Sequence, residues 1–151
     1  MTSEWTIRAA SHRDIDQLVE IEEAQFPEPW SRRLLSDELD LTSQRRYTVA
    51  VEGRTVIGVL GLMLIDRDAH INTIATRPGH EGRGVARSLL DEAIPVVEAG
   101  GYSRITLEVA VGNTRARNLY VKYGFAPLGV RKQYYRVTRE DALVLVRNLS
   151  A

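Results

Sequence analysis

Apolar residues recur along this chain at two alternating periods, and the switches between them mark out its elements. Trp5-Thr6-Ile7-Arg8-Ala9 alternates as a short strand, and Ser11, with Asp14 three residues on, is placed to cap a helix with a stripe of Ile15, Leu18, Val19 and Glu22. That helix must stop before Pro27, because Phe26-Pro27-Glu28-Pro29-Trp30-Ser31 is a rigid proline loop. Ser31 then caps a second helix carrying Leu34, Leu35 and Leu39. Tyr47–Val51 and Val56–Leu62 read as strands of a hairpin turning through Glu52-Gly53-Arg54-Thr55, and Ile71–Thr76 is a third strand ended by Arg77-Pro78-Gly79.

From Gly84 the period lengthens. Val85, Leu89, Leu90, Ala93, Ile94 and Val97 share one helical face, Pro95 predicts a kink, and Gly100-Gly101 is the stop. Ile105–Val109 returns to strand, Asn113 caps a helix running to Tyr123, and Gly124 ends it. Residues 125–137 and 142–149 form two closing strands around the polar turn Thr138–Asp141. The predicted order is β-α-α-β-β-β-α-β-α-β-β, an α/β (α+β) arrangement.

Composition narrows the class. With 151 residues, 44% hydrophobic and 26% charged, the chain is ordinary globular material and is expected to form one domain over residues 1–151. The absence of cysteine excludes a disulfide framework, a thiol nucleophile and thiolate metal sites. Met1-Thr2-Ser3-Glu4-Trp5 lacks the basic-then-apolar run of a signal peptide, and no membrane-length apolar stretch follows. The expected setting is cytoplasmic, with no membrane partner and a monomeric chain. Net charge is zero, which argues against a nucleic-acid partner held by bulk charge. The balance is uneven, however: residues 1–40 hold ten acids against four arginines.

Candidate chemistry lies in two places. Arg77-Pro78-Gly79-His80-Glu81-Gly82-Arg83-Gly84-Val85-Ala86 joins a strand to the long helix, and its glycines and the helix N-terminus suit a phosphate or pyrophosphate as well as a tight, ligand-free connection. No Gly-Lys-Ser/Thr follows, so it is not a Walker loop, and the third glycine of the dinucleotide fingerprint is missing. Further on, Glu108 must face away from Leu107 and Val109, while Asn113, Arg117, Tyr120 and Gly124 share a helical stripe. This pattern suits a Tyr120 that reaches the same side of the sheet as Glu108, as well as an ordinary core tyrosine and an ordinary exposed strand carboxylate. His12, His70 and His80 lack ligand spacing or partners, and no metal is expected.

Taken together, the element order and motifs resemble the GNAT superfamily of acetyl-CoA-dependent N-acetyltransferases over essentially the whole chain. The nearer likeness is to its RimI type, the ribosomal-protein-alanine N-acetyltransferases. It rests on Phe26-Pro27-x-Pro29-Trp30-Ser31, Ile74-Ala75-Thr76-x-Pro78, Leu107-Glu108-Val109, Asn113-x-x-Ala116-x-x-Leu119-Tyr120-x-x-x-Gly124-Phe125, Arg131-x-x-Tyr134-Tyr135 and Glu140-Asp141-Ala142. The resemblance implies a mixed, mostly antiparallel sheet of about seven strands with about four helices. Two splayed parallel strands, residues 71–76 and 103–109, would pinch acetyl-CoA.

It further implies that Ile74, Ala75 and Thr76 line the acetyl and pantetheine arm. Gly82, Arg83, Gly84, Val85, Ala86 and Arg87 would hold the pyrophosphate, with Asn113 and Arg117 completing the cofactor site. Trp30, Tyr134 and Tyr135, the last two on the late strand pair, are candidates for the groove receiving a ribosomal-protein or peptide N-terminus. Three departures stand out. Glu81 occupies a position where Gln or Arg is usual, Ala110 one where Arg is common, and Gly112 replaces Ser. A carboxylate near the pyrophosphate must point away or weaken binding, with Arg83 or Arg87 placed to compensate.

The implied chemistry is direct attack of a neutral amine on the thioester, with Glu108 as general base, through a water, and Tyr120 as the acid serving the leaving thiolate. An ordinary glutamate taking a proton from an α-ammonium faces a gap of about 5 kcal/mol, against about 8 for lysine, so Glu108 is expected to have a raised pKa and an N-terminal amine is the easier acceptor. Lysine or small-molecule amine acetylation, or non-catalytic acyl-CoA sensing, would use the same fold.

Overall fold

The computed structural model describes residues 4–149; Met1, Thr2 and Ser3 of the N-terminal stretch and the last two residues of the 1–151 span lie outside them. The elements are β1 (Thr6–Ala9), α1 (Ile15–Gln25), α2 (Arg32–Asp40), β2 (Arg45–Glu52), β3 (Thr55–Ile65), β4 (Asp68–Thr76), α3 (Val85–Ala99), β5 (Arg104–Ala110), α4 (Thr114–Lys122), β6 (Ala126–Arg131) and β7 (Ala142–Asn148). The strands form one seven-stranded sheet in the order β1-β2-β3-β4-β5-β7-β6. All neighbours are antiparallel except β4 and β5.

Alternation divides the apolar residues between the two faces of this sheet. One face buries Ile57, Leu60, Leu62, Ile105 and Leu107 against the α3 stripe, from Val85 to Val97, and against Tyr120 of α4. The other face buries Val49, Val56 and Val59 under Leu18 and Ile21 of α1 and Leu35 of α2. Each large side chain sealed in this way contributes about 1.5–3 kcal/mol. Gly61 lets the Tyr47 ring lie flat across β3: a Cβ there would come within 2.5 Å of Tyr47 Cζ. None of the described helices is long and apolar enough to cross a membrane.

Two local features depart from the sequence reading. Ser11 does not cap α1 with its hydroxyl, which is buried without a partner; a 3-10 turn (His12–Asp14) comes first, and the Asp14 carboxylate accepts the Ser11 N–H at 2.9 Å. Strand β6 ends at Arg131 rather than 137, so residues 132–141 form a loop, not a strand and short turn. Ser31 caps α2 as expected, its Oγ accepting the Leu34 N–H at 3.1 Å.

Candidate active site

The site begins with a parting of the sheet. Strands β4 and β5 pair only at Asp68–Arg104, Ala69–Ile105 and His70–Thr106. On the other side of β4, Thr73 pairs with Gly61 and Ile71 with Leu62, leaving Asn72 as an extra residue in a bulge. The bulge turns Asn72 and Thr73 to one face. There Asn72 Nδ2 donates to Glu38 of α2 (3.0 Å) and Thr73 Oγ1 donates to Glu22 of α1 (2.6 Å). Beyond it the strands diverge around a cleft of about 920 Å³, walled by both strands, the end of α1, the proline loop, the start of α4 and the 132–141 loop.

Glu108 stands in this cleft, as alternation requires, with Leu107 and Val109 in the core behind it. Its Oε1 accepts the Tyr134 hydroxyl at 3.1 Å and lies 3.4 Å from His70 Nε2 and 4.0 Å from Arg131 Nη1. His70 Nδ1 in turn meets Thr106 Oγ1 at 2.7 Å. These contacts overturn the expected raised pKa. Burial does push the Glu108 carboxyl upward, but the imidazole, the Tyr134 hydroxyl and Arg131 favour the carboxylate more strongly, and the pKa falls below the ordinary glutamate value. They also overturn the reading of the histidines as lone groups, since His12 pairs with Asp40 and His80 lies beside Glu52 and Arg83.

Tyr120 forms part of the same cleft wall, 5% exposed, with its ring edge-on to Phe125 at 5.8 Å. Burial raises its pKa above that of a free phenol, so the hydroxyl stays protonated at any working pH. Asn113 also faces the cleft, but its Oδ1 is spent capping α4 at the Ala116 N–H (3.2 Å). Arg117 holds the Val111 carbonyl at 2.7 Å and so positions the turn after β5.

The glycine loop has the geometry of an anion cradle. Gly79, Gly82 and Gly84 all have positive φ (91°, 79° and 93°), which a side chain would resist. Gly84 is the N-cap of α3 with no side-chain cap, and the first helical bond is from the Ser88 N–H to the Gly84 carbonyl, so the N–H groups of Val85, Ala86 and Arg87 point out of the helix end uncapped. Ile74 and Ala75 at the end of β4 pack into the cores on opposite faces, and the Thr76 carbonyl accepts from Gln25 at 2.6 Å. Arg83 does not compensate for Glu81: its guanidinium binds Glu52 and lies over Trp5 at 5.2 Å. Arg115, unremarked in the sequence, reaches the loop instead, its Nη2 3.6 Å from where a Gly82 Cβ would stand.

Of the acceptor residues, Tyr134 and Tyr135 line the cleft from the 132–141 loop, not from a strand, and pack edge-on at 5.1 Å. Trp30 is half-buried against the α1–α2 core while still bordering the cleft, and its backbone N–H donates to Glu22 Oε1 at 3.2 Å. Glu22 was missed as a site residue. Its place within the apolar stripe of α1 was the available signal: it is 1% exposed, borders the cleft without a cationic partner among the described residues, and burial raises its pKa despite its two hydrogen bonds.

Comparison with known proteins bears on this architecture. Residues 15–125 match the Acetyltransferase (GNAT) family. The chain belongs to that family. It is 31% identical over 153 residues to the N-alpha-acetyltransferase RimI of Mycobacterium tuberculosis, covering 97% of this chain and 94% of the relative. It is also 31% identical over 143 residues to the ribosomal protein bS18-alanine N-acetyltransferase of Haemophilus ducreyi, covering 92% and 97%. The crystal structure of the ribosomal-protein-S18-alanine N-acetyltransferase from Escherichia coli superposes with a TM-score of 0.90 at 25% identity, over 97% of this chain and 95% of that one.

Proposed function

We propose that this protein transfers the acetyl group of acetyl-CoA directly to the N-terminal α-amine, an alanine, of a small-subunit ribosomal protein. The observation that carries the reading is the placing of Glu108 and Tyr120 in one cleft where β4 and β5 part, with the glycine loop and α3 N-terminus at the end of β4. The acceptor is supported by the names of the bacterial relatives and by aromatic residues bordering the cleft.

In this reading the uncapped amides of Val85, Ala86 and Arg87 hold the pyrophosphate, assisted by the helix dipole and Arg115. The unpaired edges of Ile74–Thr76 receive the pantetheine arm. Glu108 is an anion throughout the working pH range and attracts the incoming ammonium. Its lowered pKa makes it a weak base, which places the burden on the acceptor. At pH 7 an α-amine of pKa about 8 is about 10% neutral, whereas lysine at about 10.4 is about 0.04% neutral. The cleft therefore favours an α-amine. The neutral nitrogen attacks the thioester carbon, the C–S bond breaks, the nitrogen's proton passes toward Glu108 and His70, and Tyr120 donates a hydrogen bond to the departing thiolate.

The test is release of CoA thiol from acetyl-CoA with a peptide bearing the ribosomal N-terminus, beside the same peptide with its α-amine blocked. Release confined to the free α-amine is the expected result. Equal release from a blocked, lysine-containing peptide would move the assignment to lysine.

A further inference from the structure

Glu81 lies in the donor loop, yet both its oxygens are already engaged. Oε1 accepts the Gly79 N–H at 3.1 Å, and Oε2 accepts from Gln25 Nε2 at 3.1 Å. The same Gln25 amide donates to the Thr76 carbonyl at 2.6 Å, so the carboxylate is fixed by two elements, the loop itself and the end of α1. These hydrogen bonds, led by Gln25, and the positive charge of Arg115 hold the Glu81 carboxyl below its ordinary pKa. Arg83 offers no relief, since its guanidinium is turned to Glu52, Glu4 and Trp5.

We propose that Glu81 is a resident competitor for the donor: its carboxylate, fixed in the glycine loop by the Gly79 N–H and Gln25, draws on the field of Arg115 that the pyrophosphate of acetyl-CoA would otherwise use, so that CoA is held weakly and released quickly. This rests on the donor site proposed above. Two routes lead to the same consequence. If Glu81 stays, like charges repel across the loop; if it swings out, its bonds to Gly79 and Gln25 are broken. Either way the donor binds less tightly than the cradle of amides alone would allow, and a device that weakens substrate and product together shortens the time CoA blocks the site.

Glu81→Gln removes the charge at nearly constant shape and leaves an oxygen for the Gly79 N–H. Calorimetric titration of the full chain with acetyl-CoA at about 0.02 M salt should give a Kd about threefold to tenfold lower for E81Q than for wild type, with the ratio shrinking toward one at about 0.5 M salt. Acetyl-pantetheine, which lacks the pyrophosphate, should bind both proteins equally, and CoA should dissociate from E81Q more slowly by a similar factor. An unchanged or higher Kd for acetyl-CoA in E81Q overturns the proposal, as does equal tightening toward acetyl-pantetheine. Failure of both proteins to bind acetyl-CoA at all would instead remove the donor site, and the proposal with it.

Discussion

Tyr120→Phe deletes one hydroxyl from the cleft wall, and its stability and catalytic effects should separate cleanly. The ring is 5% exposed and packs edge-on to Phe125, contacts that phenylalanine keeps. Among the described residues nothing hydrogen-bonds the Tyr120 hydroxyl, so no partner is orphaned by its loss. Stability should change by no more than about 1 kcal/mol, which for a chain of this size is about 2–4 °C in Tm. Catalysis should respond differently. The phenol is a weaker acid than the thiol it serves, so it acts by hydrogen bonding to the sulfur as charge develops rather than by full transfer beforehand. Loss of a positioned acid of this kind costs about 10²–10⁴ in rate, or about 3–5 kcal/mol of barrier. Steady-state thiol release at saturating acetyl-CoA, beside calorimetric Kd and a melting curve, reads all three quantities. A fall in kcat with Kd and Tm held is expected. A kcat within tenfold of wild type, or parallel losses in kcat and Kd, would refute the acid role.

Glu108→Gln should lower kcat by about 10² or more while leaving acetyl-CoA affinity in place. His70→Gln removes the strongest of the influences that lower the Glu108 pKa, so the acid limb of the kcat/KM profile should move to higher pH; a limb that stays put would show that the imidazole does not govern Glu108. Asp14, whose carboxyl is lowered chiefly by two 2.8 Å bonds from Arg8, stabilises the fold above its unfolded pKa, and that stability is lost as pH falls through the folded value. Asp14→Asn should therefore cost about 1–3 kcal/mol near neutrality in urea melts and flatten the acid side of the stability curve. Gly61→Ala forces a methyl into the buried Tyr47 ring, whose hydroxyl is tied to Glu38 at 2.8 Å, and should cost about 1–3 kcal/mol, read as a lower urea midpoint.

The elements were legible wherever local chemistry decides them. Ser31 and Asn113 cap the helices that follow them, and the α3 stripe is buried at all six expected positions. The alternation Leu107-Glu108-Val109 aimed Glu108 correctly. Its environment was not legible, because His70 lies 38 positions earlier and Tyr134 comes from a loop that the alternating pattern of residues 125–137 disguised as strand. The expected high pKa failed for that reason: it followed from burial alone, and the partners that reverse it are brought together only by the fold. Arg83 failed similarly, since no spacing rule connects it to Glu52 across 31 residues. Glu22, by contrast, announced itself as an acid in an apolar stripe and was read as a spacing mark rather than as chemistry.

The bulge at Asn72 has a consequence for the sheet as a whole. An ordinary open sheet has two outer rims, here β1 and β6, but strands that part halfway along their length create a second pair of edges in the interior. Those edges expose backbone donors and acceptors beyond His70 and Thr106 that have no neighbouring strand, a condition that elsewhere invites another chain to add itself. Here they lie within a walled cleft, where an extended molecule with amide groups of its own can complete the interrupted ladder. Amide hydrogen exchange in β4 and β5 should slow when such a molecule binds, which makes the missing stitches of the sheet a direct gauge of occupancy.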